Sequence, residues 1–153
     1  MRVRAVSVAL DAPVVAVGVG AGGRLEIPED GQAAGWWKDT ALTGSAEGVT
    51  VIAGHLDTRG GAAVFAPLTR LKPGQPVEVS TSAGTLDYRV RALTVRRGSE
   101  LPARYLTTTG AHRLVLITCT GPYEEDSGYR DRLYIEATPT SAPRRPEVAA
   151  PVR

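Results

Sequence analysis

Cysteine is nearly absent from the sequence. Among 153 residues there is one, Cys119. A single thiol excludes an intramolecular disulfide, so we expect the fold to be stabilised by packing rather than by covalent cross-links. A zinc site is also excluded, because one cysteine and two histidines that are distant in sequence do not make a ligand set. We therefore expect no bound metal, and no other cofactor is implied.

Long hydrophobic runs are missing as well. No stretch approaches the roughly 18 apolar residues that a membrane-spanning helix requires. Arg2 and Arg4 interrupt the N-terminal segment, where a signal peptide would have a continuous apolar core. We therefore expect the protein to attach to a membrane only through an N-terminal anchor that this chain does not carry.

Charge of one sign is not concentrated in any part of the chain. The 18 basic and 16 acidic side chains leave a net charge of +2, and the basic residues are scattered along the sequence. This pattern argues against a nucleic-acid partner. A hydrophobic content of 42% in a chain of this length predicts one domain with a substantial core and leaves no room for a second.

Short β-branched or alternating segments, separated by turn residues, occur along most of the chain. They predict strands at 3–10, 14–19, 24–27, 49–53, 76–81, 86–96, 113–118 and 132–137. Helical spacing is confined to 62–71, where Pro67 limits a helix to a turn or two, and 28–48 is predicted to be mostly loop. Many short strands with almost no helix favour a closed or half-closed β-barrel.

The composition changes at Pro139. Residues 139–153 are rich in proline and have no apolar period, which is typical of a flexible tail. We therefore predict a catalytic or binding domain at 1–138 and a flexible C-terminal tail at 139–153.

Three types of side chain that can take part in catalysis, a thiol, an imidazole and a guanidinium, lie at the ends of predicted strands. Cys119 and His55 each follow an apolar run, and Arg130 and Arg132 precede the last one. A thiolate is the reactive form of cysteine, an imidazole can generate it, and a guanidinium can hold a carbonyl or an oxyanion. These groups suit acyl transfer if the fold brings them together.

Structural alternatives stay open for each of these residues. The pattern around Cys119 also fits a small hydrophobic residue buried at a strand end. His55 could be a surface histidine with no special partner, and the two arginines could be solvated residues on an edge strand. His112 lies about seven residues before Cys119, roughly 23 Å along an extended strand, so it is excluded as the base for that thiol.

Three segments resemble the signature segments of sortases, in the same order and with similar spacing. They are TVIAGHLDT at 50–58, LITC at 116–119 and GYRD at 128–131. Four further segments are similar to intervening parts of the actinobacterial class E and class F branches: LDAPV at 10–14, GWW at 35–37, AVF at 63–65 and LKPG at 71–74. The resemblance covers roughly residues 2–139.

The resemblance implies a mostly β, single-domain, eight-stranded sortase barrel with one or two short helices. It also implies a cysteine transpeptidase at the extracellular face of the membrane of a Gram-positive bacterium. Such an enzyme cleaves an LPXTG-like sorting signal of an exported protein after its threonine and forms a thioester. It then transfers the acyl group to an amine of peptidoglycan or of a pilin.

Carried onto this chain, the resemblance makes Cys119 the nucleophile and His55 the group that protonates the leaving amine and deprotonates the incoming one. Arg130 is the expected oxyanion donor because Tyr129-Arg130-Asp131 matches the class F pattern. Arg132 is the alternative, since other branches place the arginine directly against the last strand. Substrate binding is assigned to Thr118, Thr120 and Asp57, and the loop 98–109 is expected to set substrate choice.

Two other functions remain open from the sequence. A cysteine hydrolase would pass the same thioester to water, and composition does not separate it from a transpeptidase. A non-catalytic β-barrel binding module would carry the cysteine, histidine and arginines incidentally. A peptidoglycan L,D-transpeptidase is disfavoured, because Cys119 lacks the Ser-x-Gly-Cys surroundings of that class.

Overall fold

The computed structural model describes residues 1–142, which form β-strands joined by turns and loops. The strands are β1 (Arg2–Ala5), β2 (Leu10–Val17), β3 (Ala34–Trp37), β4 (Val49–Ala53), β5 (Asp57–Thr58), β6 (Gly61–Ala62), β7 (Pro76–Thr81), β8 (Gly84–Arg97), β9 (Arg113–Glu124) and β10 (Gly128–Pro139). Helical conformation in this part of the chain is limited to 3₁₀ segments at Val6–Val8, Ala21–Gly23, Ala66–Arg70 and Ala103–Tyr105. None of the helices described here is long and apolar enough to cross a membrane.

Eight strands close into a barrel in the order β1-β2-β3-β4-β9-β10-β8-β7, and β5 and β6 form a separate two-stranded sheet. Neighbours in the barrel are antiparallel except for two parallel pairs, β2 with β3 and β4 with β9. Closure leaves the barrel without free edge strands. The predicted mostly β barrel is therefore confirmed, with short 3₁₀ segments as its only helical parts within residues 1–142.

The strands form where the sequence alternates between apolar and polar residues. In the β7–β8 hairpin the residues of one parity are buried, among them Val77, Val79 and Tyr88, while their neighbours face outward. The inward side chains of the barrel strands fill its interior as one apolar cluster.

Strand β4 is buried on both faces, as its continuous apolar run predicted. Ile52 faces the barrel interior, whereas Val51 and Ala53 belong to a second apolar cluster on the outer side of the wall. Tyr105 and Leu101, from the segment between β8 and β9, cover that outer cluster. The outer face of β4, β9 and β10 is thus where a groove can form.

The predicted strand 3–10 is wrong, because the chain turns within it. A 3₁₀ segment at Val6–Val8 separates β1 from β2, and Ala9 adopts a left-handed conformation with φ of 56°. Apolar residues continue through the turn, so periodicity does not reveal it. The predicted second strand, 14–19, is the later part of β2 with a short extension.

The prediction for the next segment was also wrong. Residues 24–27 form only an isolated bridge, between Val19 and Leu25. The strand lies instead at Ala34–Trp37, inside the predicted loop, and pairs in parallel with β2. This segment contains Gly35 and two tryptophans and has no clear alternation, so its strand conformation depends on the pairing with β2 and β4.

The last two barrel strands are longer than predicted. Strand β9 continues to Glu124 and β10 begins at Gly128, so the segment that follows Cys119 is strand. Strand β10 ends at Pro139. The predicted flexible tail lies mostly in residues 143–153, outside the described residues, and stays a prediction.

His112 is buried and fixed by hydrogen bonds away from the predicted site. Its Nδ1 is 3.0 Å from the carbonyl oxygen of Gly48, and its Nε2 is 2.7 Å from the hydroxyl of Tyr88. Because a carbonyl oxygen only accepts, Nδ1 carries the hydrogen and Nε2 accepts from Tyr88. Thr43 Oγ1, 2.7 Å from the Tyr88 hydroxyl, completes the chain of bonds. The arrangement suits a neutral imidazole.

We expect the protein to lose stability as the pH falls below about 6.5. Burial lowers the pKa of His112 below its ordinary value of 6.5, although the Gly48 carbonyl opposes the shift. The unfolded chain therefore binds the proton first, and stability falls by at most about 1.4 kcal/mol per pH unit from this group. Denaturant titrations at about pH 7.5 and about pH 5.5 measure the loss. In His112→Gln the difference between the two pH values should be smaller; an unchanged difference would contradict the assignment.

Candidate active site

The segment that carries His55 is tied directly to strand β9. The Gly54 amide donates to the Ile117 carbonyl at 3.0 Å, and Thr118 Oγ1 donates to the Gly54 carbonyl at 2.9 Å. A Cβ on Gly54 would lie 2.7 Å from the ring of Phe65, so this close packing requires glycine. The Phe65 amide in turn donates to the His55 carbonyl at 3.2 Å. These contacts fix the backbone on both sides of the imidazole.

Strand register brings the three candidate groups together. Ala53 of β4 pairs with Ile117 of β9, so two further residues along these parallel strands bring His55 level with Cys119. On the other side, Cys119 is the direct partner of Arg132 in the antiparallel pairing of β9 with β10. Directly paired residues of antiparallel strands project to the same face of the sheet. The thiol and the Arg132 guanidinium therefore share a face.

A cavity of about 610 Å³ lies over this face, on the outside of the barrel wall. His55, Cys119 and Arg132 all line it. The rest of its lining is largely apolar and includes Leu25, Ile27, Trp37, Leu101, Ile117 and Tyr134. A mainly apolar groove with a few reactive polar groups suits an extended peptide with apolar side chains.

Arg130 is held away from the thiol. It is not among the described residues that line the cavity. Its Nε and Nη2 each donate to a carboxylate oxygen of Asp131 at 2.9 Å. The register of β9 and β10 shifts here, so that Arg130 faces the two residues Gly121 and Pro122. The guanidinium is thereby neutralised by a bidentate ion pair next to the site rather than within it.

Arg132 is half-buried and oriented by backbone carbonyls. Its Nη1 donates to the carbonyl oxygens of Tyr129 at 2.9 Å and Asp131 at 3.0 Å. A guanidinium has five N–H donors in a planar fork, so two bonds from one nitrogen fix the plane and leave donors for a ligand. This geometry suits an oxyanion donor.

The resting thiol is biased toward its protonated form. Burial raises the pKa of Cys119 above its ordinary value, and the Asp57 carboxylate adds to the increase. The Arg132 guanidinium acts in the opposite direction and lowers it. Reaction therefore requires a group that accepts the proton, and His55 lines the same cavity.

Two buried nitrogens beside the cavity have no hydrogen-bond partner within residues 1–142: His55 Nε2 and Trp37 Nε1. Most buried polar atoms in proteins are paired, so an unpaired one is a position where a ligand or a water molecule can bind. An unpaired imidazole nitrogen in a reactive cavity suits a proton carrier.

Of the three residues that the sequence assigned to substrate binding, only Thr118 lines the cavity in the described part of the chain. Thr118 lines the cavity, but its hydroxyl is engaged with the Gly54 carbonyl, so it positions the His55 segment. Thr120 and Asp57 are not among the lining residues in the described part of the chain. Thr120 pairs with Asp131, and Asp57 accepts a hydrogen bond from Tyr129.

Sequence reasoning missed most of the apolar lining. Trp37, Leu25 and Tyr134 come from three separate segments, and only the tertiary fold brings them to one face. The GWW segment carried a signal in its two adjacent tryptophans, which are costly to leave exposed. Ser99, Glu100 and Leu101, from the loop expected to influence substrate choice, also line the cavity.

Comparison with known proteins gives a consistent result. Residues 1–140 match the model of the sortase domain family. Among solved structures, sortase C2 of pilus island 1 from Group B Streptococcus superposes with a TM-score of 0.71 at 23% identity, covering 92% of this chain and 73% of that protein. Sortase C-1 from Actinomyces oris has a TM-score of 0.70 at 25% identity, with 92% and 73% covered. Sortase A from Listeria monocytogenes has a TM-score of 0.73 at 18% identity, with 95% and 90% covered. Comparison with curated protein sequences finds no significant match.

Proposed function

Because the chain belongs to the sortase family of cysteine transpeptidases, we propose that Cys119 is the nucleophile that cleaves an LPXTG-like sorting signal after its threonine. The observation that carries this proposal is the cavity lined jointly by Cys119, His55 and Arg132. The three residues come from β9, the segment after β4, and β10, and the strand register aligns them. They supply a nucleophile, a proton carrier and an oxyanion donor in one place.

The proposed reaction has two halves. The Cys119 thiol gives its proton to His55, and the sulfur attacks the threonine carbonyl carbon. The C–N bond breaks as His55 returns a proton to the leaving amine, and a thioester remains on the sulfur. An incoming amine then loses a proton to His55 and attacks the thioester. The thiolate leaves and takes that proton back from His55, which restores the resting thiol and the neutral imidazole.

Arg132, rather than Arg130, is the arginine we assign to the oxyanion. Its guanidinium lines the cavity with its plane fixed by two backbone carbonyls, whereas that of Arg130 is bound to Asp131. Two N–H donors aimed at the carbonyl oxygen would stabilise the charge that develops as sulfur attacks. The same guanidinium favours the thiolate of Cys119.

The finer assignments are part of the same proposal. We place the enzyme at the extracellular face of a Gram-positive cell membrane, where sorting signals of exported proteins are processed, and in the actinobacterial class E or class F branch. The acyl acceptor is an amine of peptidoglycan or a pilin lysine. One of the similar solved structures is described as a pilus-island sortase, which supports including pilin amines among the candidates.

The test is incubation of the protein with a panel of LPXTG-like peptides, with and without triglycine, followed by mass spectrometry. We expect the acyl fragment joined to triglycine through a new amide bond, and no product with Cys119→Ala. Cleavage without transfer would identify a thiol hydrolase. No reaction with any peptide would contradict the proposed catalysis and favour a binding module.

A further inference from the structure

Strands β9 and β10 extend beyond the catalytic candidates as a hairpin, residues 120–131, which we call the arm. At its base, β9 carries Cys119 and β10 carries Arg132. Within the arm the hydroxyl of Tyr129 donates to Asp57 Oδ2 at 2.5 Å, across 72 positions of sequence. Neither Tyr129 nor Asp57 is among the described residues that line the cavity.

This hydrogen bond is a further link between the two halves of the site, in addition to the bonds of Gly54 with Ile117 and Thr118. Asp57 begins β5, two residues after His55, and pairs with Ala62 in the small sheet of β5 and β6. Tyr129 lies three residues before Arg132 on the strand that pairs with β9. One contact therefore connects the segment of the proton carrier to the hairpin that carries the other two groups.

Tyr129 also contacts Arg132 through its backbone. Its carbonyl oxygen accepts from Arg132 Nη1 at 2.9 Å, so the same residue orients the guanidinium and reaches Asp57. The aromatic ring is held by Tyr123, which packs against it edge-to-face with ring centroids 5.2 Å apart. A displacement of Tyr129 would thus disturb the Arg132 guanidinium and also loosen the His55 segment on its C-terminal side, at Asp57.

We propose that Tyr129 is a positioning residue that, through Asp57, holds the His55 segment against the hairpin carrying Cys119 and Arg132. The inference rests on the proposed function, because it concerns the same three groups. It assigns a role in catalysis to a side chain outside the cavity. The bond is charge-assisted, which strengthens it, and it lies at the protein surface, where solvent screens part of the interaction.

The pKa of the Cys119 thiol depends on the charges around it, and it offers a second way to test the role of Tyr129. The charged and titratable groups near Cys119 are Arg132 on β10, Asp57 on β5, His55, and Tyr129 on the arm. Arg24, Glu100 and Tyr134 line the same cavity. The bond to Asp57 raises the pKa of Tyr129 to about 12, so the phenol stays a donor at physiological pH. While Tyr129 donates, its O–H dipole opposes part of the field of the Asp57 carboxylate, and the thiol experiences a weaker negative potential.

Kinetics of Tyr129→Phe test the positioning role, with Tyr123→Phe as the matched control. Both variants remove one hydroxyl from the arm, but only the first loses the bond to Asp57; Tyr123 is 66% exposed. We expect kcat for peptide transfer to fall about tenfold in Tyr129→Phe with KM little changed, because a misplaced proton carrier slows chemistry more than binding. Tyr123→Phe should stay within about twofold of the parent. Equal kcat values for the two variants would overturn the proposal.

The pH dependence of Cys119 alkylation by iodoacetamide tests the same contact without requiring transfer. In Tyr129→Phe the full Asp57 charge acts on the thiol, so the alkylation midpoint should rise; in Asp57→Asn the charge is gone and the midpoint should fall. Simple loosening of the arm would move both midpoints in one direction, and that result would also overturn the proposal. If the parent protein transfers no peptide, the proposed function fails, and the two alkylation midpoints alone decide the role of Tyr129.

Discussion

Replacement of Cys119 with alanine is expected to abolish peptide transfer, lowering kcat by about 10⁴-fold or more. The thioester needs a sulfur atom, and no second thiol exists in the chain to replace it. The thiol is half-buried, pairs with Arg132 across the strands and lines the cavity, where a substrate carbonyl could reach it. Mass spectrometry of peptide products measures the loss, and a thiol-reactive methanethiosulfonate should label the parent once and the variant not at all.

Two comparisons separate chemistry from folding in this experiment. Cys119→Ser keeps the shape of the side chain but is a poorer nucleophile, so it should be nearly as inactive as the alanine variant. Both variants should unfold at temperatures close to that of the parent, since Cys119 is only half-buried. Undiminished transfer by Cys119→Ala would exclude the proposed mechanism.

The barrel could be predicted from the sequence wherever burial follows a simple period. The β7–β8 hairpin alternates cleanly, and β4 is apolar except for Thr50 because both of its faces are covered. Such segments need no tertiary information, since the pattern of apolar residues matches the pleat. Their turns are marked as well, as at Gly84, which has a φ of 140°.

The errors occurred where tertiary contacts decide the conformation. Strand β3 is four residues long and is extended because β2 and β4 pair with it from either side. The turn between β1 and β2 contains no glycine or proline, and Ala9 takes a left-handed conformation that its side chain does not favour. Neither feature has a local sequence signal. Periodicity therefore predicted one continuous strand at 3–10, through the turn between β1 and β2, and did not predict β3.

The proximity of His55 and Cys119 follows from strand ends, because two parallel neighbours deliver their following residues to the same edge. The choice between the arginines does not follow from the sequence. Arg130 and Arg132 have the same parity, so strand alternation alone would place both on one face. The shift in register opposite Arg130 and the adjacent Asp131 carboxylate separate them, and only the pairing of β9 with β10 reveals this.

Arg132→Ala should therefore lower kcat/KM by about 10²–10³-fold, a loss typical of removing an oxyanion donor. Arg130→Ala should change it by no more than a few-fold, since the Arg130 guanidinium is engaged with Asp131 outside the cavity. The two variants remove the same charge from positions two residues apart on β10. Steady-state transfer of a sorting peptide to triglycine measures both, and equal losses would contradict the assignment of Arg132.

A lysine at position 132 distinguishes charge from geometry. Arg132→Lys keeps the positive charge that favours the Cys119 thiolate, but it lacks the planar fork that would bind the two backbone carbonyls and the substrate oxygen together. We expect alkylation of Cys119 to stay near the parent rate while transfer stays far below it. Arg132→Ala should slow both, because the guanidinium lowers the pKa of the thiol. Recovery of full transfer by lysine would mean that Arg132 acts through its charge alone and that the oxyanion is held by other donors.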